Sequence, residues 1–205
     1  TNTSGQWVES KELIETFPGG AVARQGQYQV IFANNLNSQG AIDMQTMDGK
    51  RLRSNILGLM YHDTDTDEAA LIAQLQDCEG RLISANQVLY PDAFAGVKAD
   101  VQYTYRLGSF EQDVILRERP PAPEEFGMNP ATTKLEVFTE FLNPPAAGVK
   151  DDVTGDDWEP DQEIHWGAMM LGRGRAFDLG NKTTSAPVTK RYLNLEGRYF
   201  LLEKV

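Results

Sequence analysis

The stretch DVQYTYRLGSFEQDVILR, residues 100–117, decides the fold class, because it reads as a β-hairpin whose two faces can be assigned residue by residue. With Gly108-Ser109 as a two-residue turn, glycine supplies the positive φ that a type II′ turn needs at its first central position. Val101 then faces Leu116, Tyr103 faces Val114, Tyr105 faces Gln112 and Leu107 faces Phe110, which makes one side apolar and aromatic and predicts that it lies on a core. The reverse side pairs Asp100 with Arg117, Thr104 with Asp113 and Arg106 with Glu111, so opposite charges meet across the strands.

Working outward, the same grammar recurs. Tyr28, Val30 and Phe32 alternate with Gln27 and Gln29, the pattern of a half-buried strand. Asp48-Gly49 predicts a hairpin turn between residues 41–47 and 50–61, and the two-faced apolarity of 56–61 predicts a central strand. Glu196-Gly197 predicts a third hairpin, with Leu193 opposite Phe200, Tyr192 opposite Leu201 and Lys190 opposite Glu203. Residues 134–142 are β-branched and aromatic and stop at Asn143-Pro144-Pro145, as a strand does. Residues 67–75 fit either a helical face or strand alternation, and the strand is preferred. Pro120, Pro121, Pro123 and Pro130 exclude a central strand and predict an extended crossover with one helical turn at Glu124-Glu125-Phe126. Strands and turns without βαβ spacing predict an all-β fold with little helix, an antiparallel β-sandwich or supersandwich. Residues 1–205 are expected to form one β-rich domain, with 146–162 as an acidic internal loop or linker.

Composition narrows the function classes. Forty per cent hydrophobic residues is a globular value, so wholesale disorder is not expected. A formal charge of −11 repels phosphate backbones and anionic headgroups, which argues against nucleic acid as a partner. No apolar run approaches the roughly 18 residues of a membrane helix, so membrane insertion is not expected. Cys78, flanked by Asp77 and Glu79, is the one cysteine. It is expected to be an inert core thiol, since a reactive thiolate needs an electropositive setting. The chain opens at Thr1 without a methionine or a basic-then-apolar leader and stops within the strand-like run Leu201-Leu202-Glu203-Lys204-Val205, so a piece of a longer polypeptide is expected.

The candidate sites are few. Asp151, Asp152, Asp156, Asp157, Glu159, Asp161 and Glu163 crowd around Gly155. Clustered hard oxygen ligands point to calcium, and the same composition also makes a solvated acidic loop. The acids at Asp63, Asp65, Asp67 and Glu68 lack the glycine and terminal glutamate of an EF-hand loop and are read as a polar turn. His62 and His165 lie in no HExxH pattern, and no GxSxG elbow or phosphate loop occurs, so catalysis on esters, phosphates or peptides is not expected. Trp158 and Trp166 are the candidate stacking platforms for a sugar ring, although tryptophan more often packs a core. Gly172-Arg173-Gly174-Arg175 is read as a bulge or turn, and Asn181-Lys182-Thr183 matches a glycosylation acceptor.

The run 103–118, followed by prolines and then Asn129-Pro130-Ala131-Thr132-Thr133, resembles a segment of large uncharacterised bacterial secreted proteins, some with RHS-type repeats. The resemblance spans about residues 40–141 and carries no catalytic residue. It implies an extracellular or envelope-associated β-rich module whose partners are other domains of the parent polypeptide. The expected function is therefore non-catalytic: structure, adhesion or ligand presentation. The alternative is a carbohydrate-binding or carbohydrate-active domain, with glycan as partner and paired carboxylates as its chemistry.

Overall fold

The computed structural model describes residues 9–152, 161–180 and 184–205, and among them it is an antiparallel all-β sandwich of seventeen strands with a single 3₁₀ turn, Pro123–Phe126. One large sheet carries two smaller ones. The chain enters the large sheet through β1 (Ile14–Phe17), β2 (Gly20–Ala23), β3 (Tyr28–Ala33), β4 (Ile42–Thr46) and the 13-residue β5 (Arg51–Asp63), with β6 (Glu68–Gln74) folding back on β5. It leaves for β7 (Arg81–Ser84), β8 (Gln87–Tyr90), β9 (Ala99–Tyr105) and β10 (Phe110–Leu116), which form a separate four-stranded sheet. It returns as β11 (Thr133–Leu142), beside β5. A three-stranded sheet follows, made of β12 (Gly148–Asp152), β13 (Asp161–Trp166) and β14 (Met169–Leu171). The large sheet is completed by β15 (Gly174–Phe177), β16 (Ser185–Leu195) and β17 (Arg198–Lys204), with β17 pairing β11.

Two hydrophobic clusters explain this division. The four-stranded sheet packs on the first half of the large sheet through Val88, Tyr90, Val101, Tyr103 and Tyr105 against Val30, Phe32, Ile56 and Leu59. The three-stranded sheet packs on the second half through Ile164, Trp166 and Met169 against Phe141, Leu201 and Tyr192. Residues 56–61 belong to a strand flanked on both sides, by β11 on one and by β4 and then β6 on the other, which accounts for their two-faced apolarity.

The hairpin of 100–117 forms with its faces as expected and its register shifted by two. Tyr105 pairs with Phe110, Tyr103 with Gln112 and Val101 with Val114, and the Arg106 amide donates to the Ser109 carbonyl at 2.9 Å. The turn is therefore Leu107-Gly108 rather than Gly108-Ser109, and Gly108 has no positive φ. An even shift preserves the faces. Val101, Tyr103 and Tyr105 are buried, and Tyr103 stacks on Phe110 with ring centroids 5.6 Å apart. Leu107, expected on the core face, is instead 38% exposed at the tip. The charges still meet, now on the diagonal: Arg117 Nε lies 3.1 Å from Asp100 Oδ1, and Arg106 Nε 3.3 Å from Glu111 Oε1.

The other turns follow local chemistry. Glu196 and Gly197 both take positive φ, 52° and 82°, and the register Leu193–Phe200, Tyr192–Leu201 and Lys190–Glu203 is the expected one. The β4–β5 turn holds three residues, Met47-Asp48-Gly49, closed by the Gly49 amide on the Thr46 carbonyl at 3.0 Å. Residues 68–74 are strand, as preferred, and the proline segment carries its single helical turn. Within the expected acidic loop, 148–152 and 161–162 lie in strands.

Tyrosine hydroxyls tie the layers together. Tyr90 donates to the Ala33 carbonyl at 2.6 Å and Tyr105 to the Tyr28 carbonyl at 3.1 Å. Tyr90 is fully buried, so Tyr90→Phe strands an acceptor without making a cavity. It is expected to lower stability by about 1.5 kcal/mol, read in urea as a lower midpoint with an unchanged slope.

Candidate functional site

The acidic stretch builds structure where it is described. β12 pairs with β13 so that Asp151 faces Gln162, whose amide donates to Asp151 Oδ1 at 3.0 Å. Asp152 faces Asp161. Asp161 turns toward the large sheet, where Lys190 Nζ lies 2.8 Å from each of its carboxylate oxygens and the Lys190 amide donates to Oδ1 at 2.8 Å. Asp151 and Asp161, both expected calcium ligands, are thus committed to protein donors. Asp156, Asp157, Glu159 and Trp158 lie outside the described residues. Among the described residues no group of three His, Cys, Asp or Glu side chains is placed to hold a metal.

Trp166, expected as a sugar platform, is 2% exposed. Its ring meets Phe141 and Tyr192 edge-on, with centroids 5.3 and 5.6 Å away, inside the second core cluster. The correction has a simple cause: Ile164 and Trp166 share the inward side of β13, while Glu163 and His165 take the outward side.

Lys190 and Asp161 have a third member that position in the sequence alone does not single out. Glu203 faces Lys190 across the β16–β17 ladder and Val137 across the β11–β17 ladder. Burial pushes its carboxyl up to about 7, against the pull of Lys190 and with the push of Asp161. Asp161 holds the ammonium directly, while Glu203 is its cross-strand neighbour. The pairing of Lys190 with Glu203 is legible from the hairpin, but its burial requires β13.

The remaining titratable candidates are also engaged. His62 Nε2 lies 2.9 Å from Asp67 Oδ1, and its Nδ1 lies 3.6 Å from Glu136 Oε1. Hydrogen bonding to His62 holds the Asp67 carboxyl below its ordinary value, while burial raises that of Glu136. His165 Nε2 meets Glu163 Oε1 at 2.7 Å. Asp63 caps its own turn, accepting the Asp65 amide at 3.0 Å, so the second acidic cluster is a polar turn. Cys78 is buried, and desolvation pushes its thiol up to about 11, with a smaller push from Asp77 and none from Glu79.

What the sequence reading missed is a cleft at the edges of the sheets. β1 ends the large sheet and β7 ends the four-stranded one. They come together just past the end of β7, where the Ile14 amide donates to the Ala85 carbonyl at 2.8 Å. Between them opens a cleft of about 190 Å³, lined by Thr16, Phe17 and Gly20 on one side and Gly80, Arg81 and Leu82 on the other. Phe32, Val88 and Tyr90 form its floor. Phe17 at 43%, Leu82 at 37% and the adjacent Ile83 at 46% are exposed apolar side chains at its rim. A cleft built from two edges far apart in sequence leaves no local motif, only two short strands with outward-facing apolar residues.

No protein-family model, curated protein sequence or solved structure matches the chain.

Proposed function

We propose that the chain is a non-catalytic module of a larger secreted bacterial protein, acting outside the cell or on its envelope in structure, adhesion or ligand presentation. The observation that carries this reading is the cleft between β1 and β7, where apolar side chains and two terminal strands stand open to a partner. The groups that would be expected to do chemistry support it by their engagement elsewhere. Cys78 is desolvated, and Lys190 is held by Asp161. Its natural partners, on this reading, are polypeptides, including other domains of the parent protein. The strand-dense sequence and its resemblance over 40–141 point the same way.

The test is a set of substrate panels of esters, phosphates, peptides and glycosides, run with a glycan array on the purified chain. No turnover and no glycan retention are expected. Turnover that disappears in His62→Ala, His165→Ala or Cys78→Ala would overturn the reading. Saturable glycan binding would replace it with the carbohydrate-binding alternative.

A further inference from the structure

The cleft between β1 and β7 has a shape and a chemistry that specify its occupant more closely. Pro18-Gly19 is a two-residue hairpin loop between Phe17 and Gly20, which are register partners. The backbone groups of Phe17 and Glu15 therefore turn toward β2, and those of Ile14 and Thr16 turn outward. Ile14 uses its outward amide on Ala85, at the closed end. Thr16, two residues on, presents its N–H and C=O to the open part of the cleft. β1 thus offers one side of an unfinished ladder beside an apolar floor.

At about 190 Å³ the cleft is smaller than the ~300–1,000 Å³ typical of small-molecule sites. It suits one or two apolar side chains of something that continues beyond it. Arg81 is its one charged lining residue, exposed and without an ion pair among the described residues, whereas neighbouring Glu15 is taken by Arg24 at 2.9 Å. A concave surface is not self-complementary, and two copies at −11 each repel, so a second copy is a poor occupant.

Resting on the reading of the chain as a binding module, we propose that this cleft receives an extended segment of a separate polypeptide that adds as a strand along β1. Apolar side chains at alternate positions of the segment enter between Phe17 and Leu82, and a carboxylate of the segment pairs with Arg81. Main-chain hydrogen bonds to Thr16 supply general affinity, while the pocket and Arg81 supply selectivity.

The probe is a capped decapeptide alternating valine and threonine with one central aspartate, titrated into the full chain by calorimetry and followed by amide exchange. Saturable binding and slowed exchange of the Thr16 amide are expected. Arg81→Glu, which changes an exposed side chain and should leave the melting temperature in place, is expected to weaken binding roughly tenfold. The same variant should favour a peptide with lysine in place of aspartate. A proline in the middle of the peptide removes a ladder donor and should abolish binding. Absence of binding, binding indifferent to both Arg81→Glu and the proline, or a dimer of the chain that occupies the cleft would each overturn the proposal. The substrate panels report on the module reading separately: silent panels with failed peptide binding overturn strand addition alone, whereas turnover overturns both.

Discussion

Lys190→Met is expected to destabilise the protein by about 3 kcal/mol. Lys190 is 1% exposed, and its ammonium lies 2.8 Å from both oxygens of Asp161. Methionine keeps the buried stem and removes the charge, which leaves the Asp161 carboxylate without its ammonium and takes away the attraction that Lys190 exerts on Glu203. Breaking one side of a buried ion pair costs about 3–5 kcal/mol. The low end applies because the Asp161 side chain keeps 18% exposure and still accepts the Lys190 backbone amide. The double variant Lys190→Met, Asp161→Asn should recover most of the loss, since replacing both charges removes the desolvation penalty together with the attraction. Urea unfolding of the four members of the cycle measures this. A single variant within about 0.5 kcal/mol of wild type would mean that the pair contributes nothing net, as exposed pairs often do.

The hairpins show where local sequence suffices and where it does not. At Glu196-Gly197 both central residues take positive φ, and every cross-strand pair falls where the residues predict. Around Gly108 the same logic misplaces the turn by one residue. There the loop carbonyls are engaged from another sheet, the Tyr28 hydroxyl lying 2.6 Å from the Arg106 oxygen and 2.5 Å from that of Ser109. Tyr28 and Tyr105 also meet at 4.9 Å between ring centroids, so tertiary contact selects the register and glycine's conformational freedom goes unused. Alternation survives because period-two patterning tolerates an even shift, which is why the buried face was legible and the pairing was not.

The candidate site divides in the same manner. Trp166 alternates correctly for a strand, but alternation does not say which side of β13 is covered, and here the large sheet covers it. For Cys78 only the direction was legible: its neighbour Asp77 opposes the thiolate, but burial, which raises the thiol most, is set by the fold. The β1–β7 cleft was not legible, because it depends on two strands 67 positions apart, Ile14 and Arg81 at their starts, coming together at one backbone bond just past the end of β7.

Glu203 sets the second large effect, a loss of stability with rising pH. Its carboxyl is raised from an ordinary value of 4.5 to about 7, first by burial and then by Asp161, with Lys190 pulling it down. Because the folded state holds this proton more tightly than the unfolded chain, the contribution is complete below about pH 4.5 and disappears as pH rises through about 7. At about 1.4 kcal/mol per unit, the shift corresponds to about 3 kcal/mol across that window. Other carboxyls move the opposite way: Asp63, Asp67 and Asp77 are held low by hydrogen bonds and favour the fold above their ordinary range. The informative quantity is therefore the difference between wild type and Glu203→Gln, which keeps the size of the side chain and cannot ionise. Chemical unfolding from pH 5 to pH 8.5 should show the variant gaining on wild type by about 3 kcal/mol as pH rises, with most of the change between pH 5 and 7.5. Parallel curves would place the Glu203 proton affinity at its ordinary value in the folded state. They would remove the buried cluster of Lys190, Asp161 and Glu203 as a source of pH dependence.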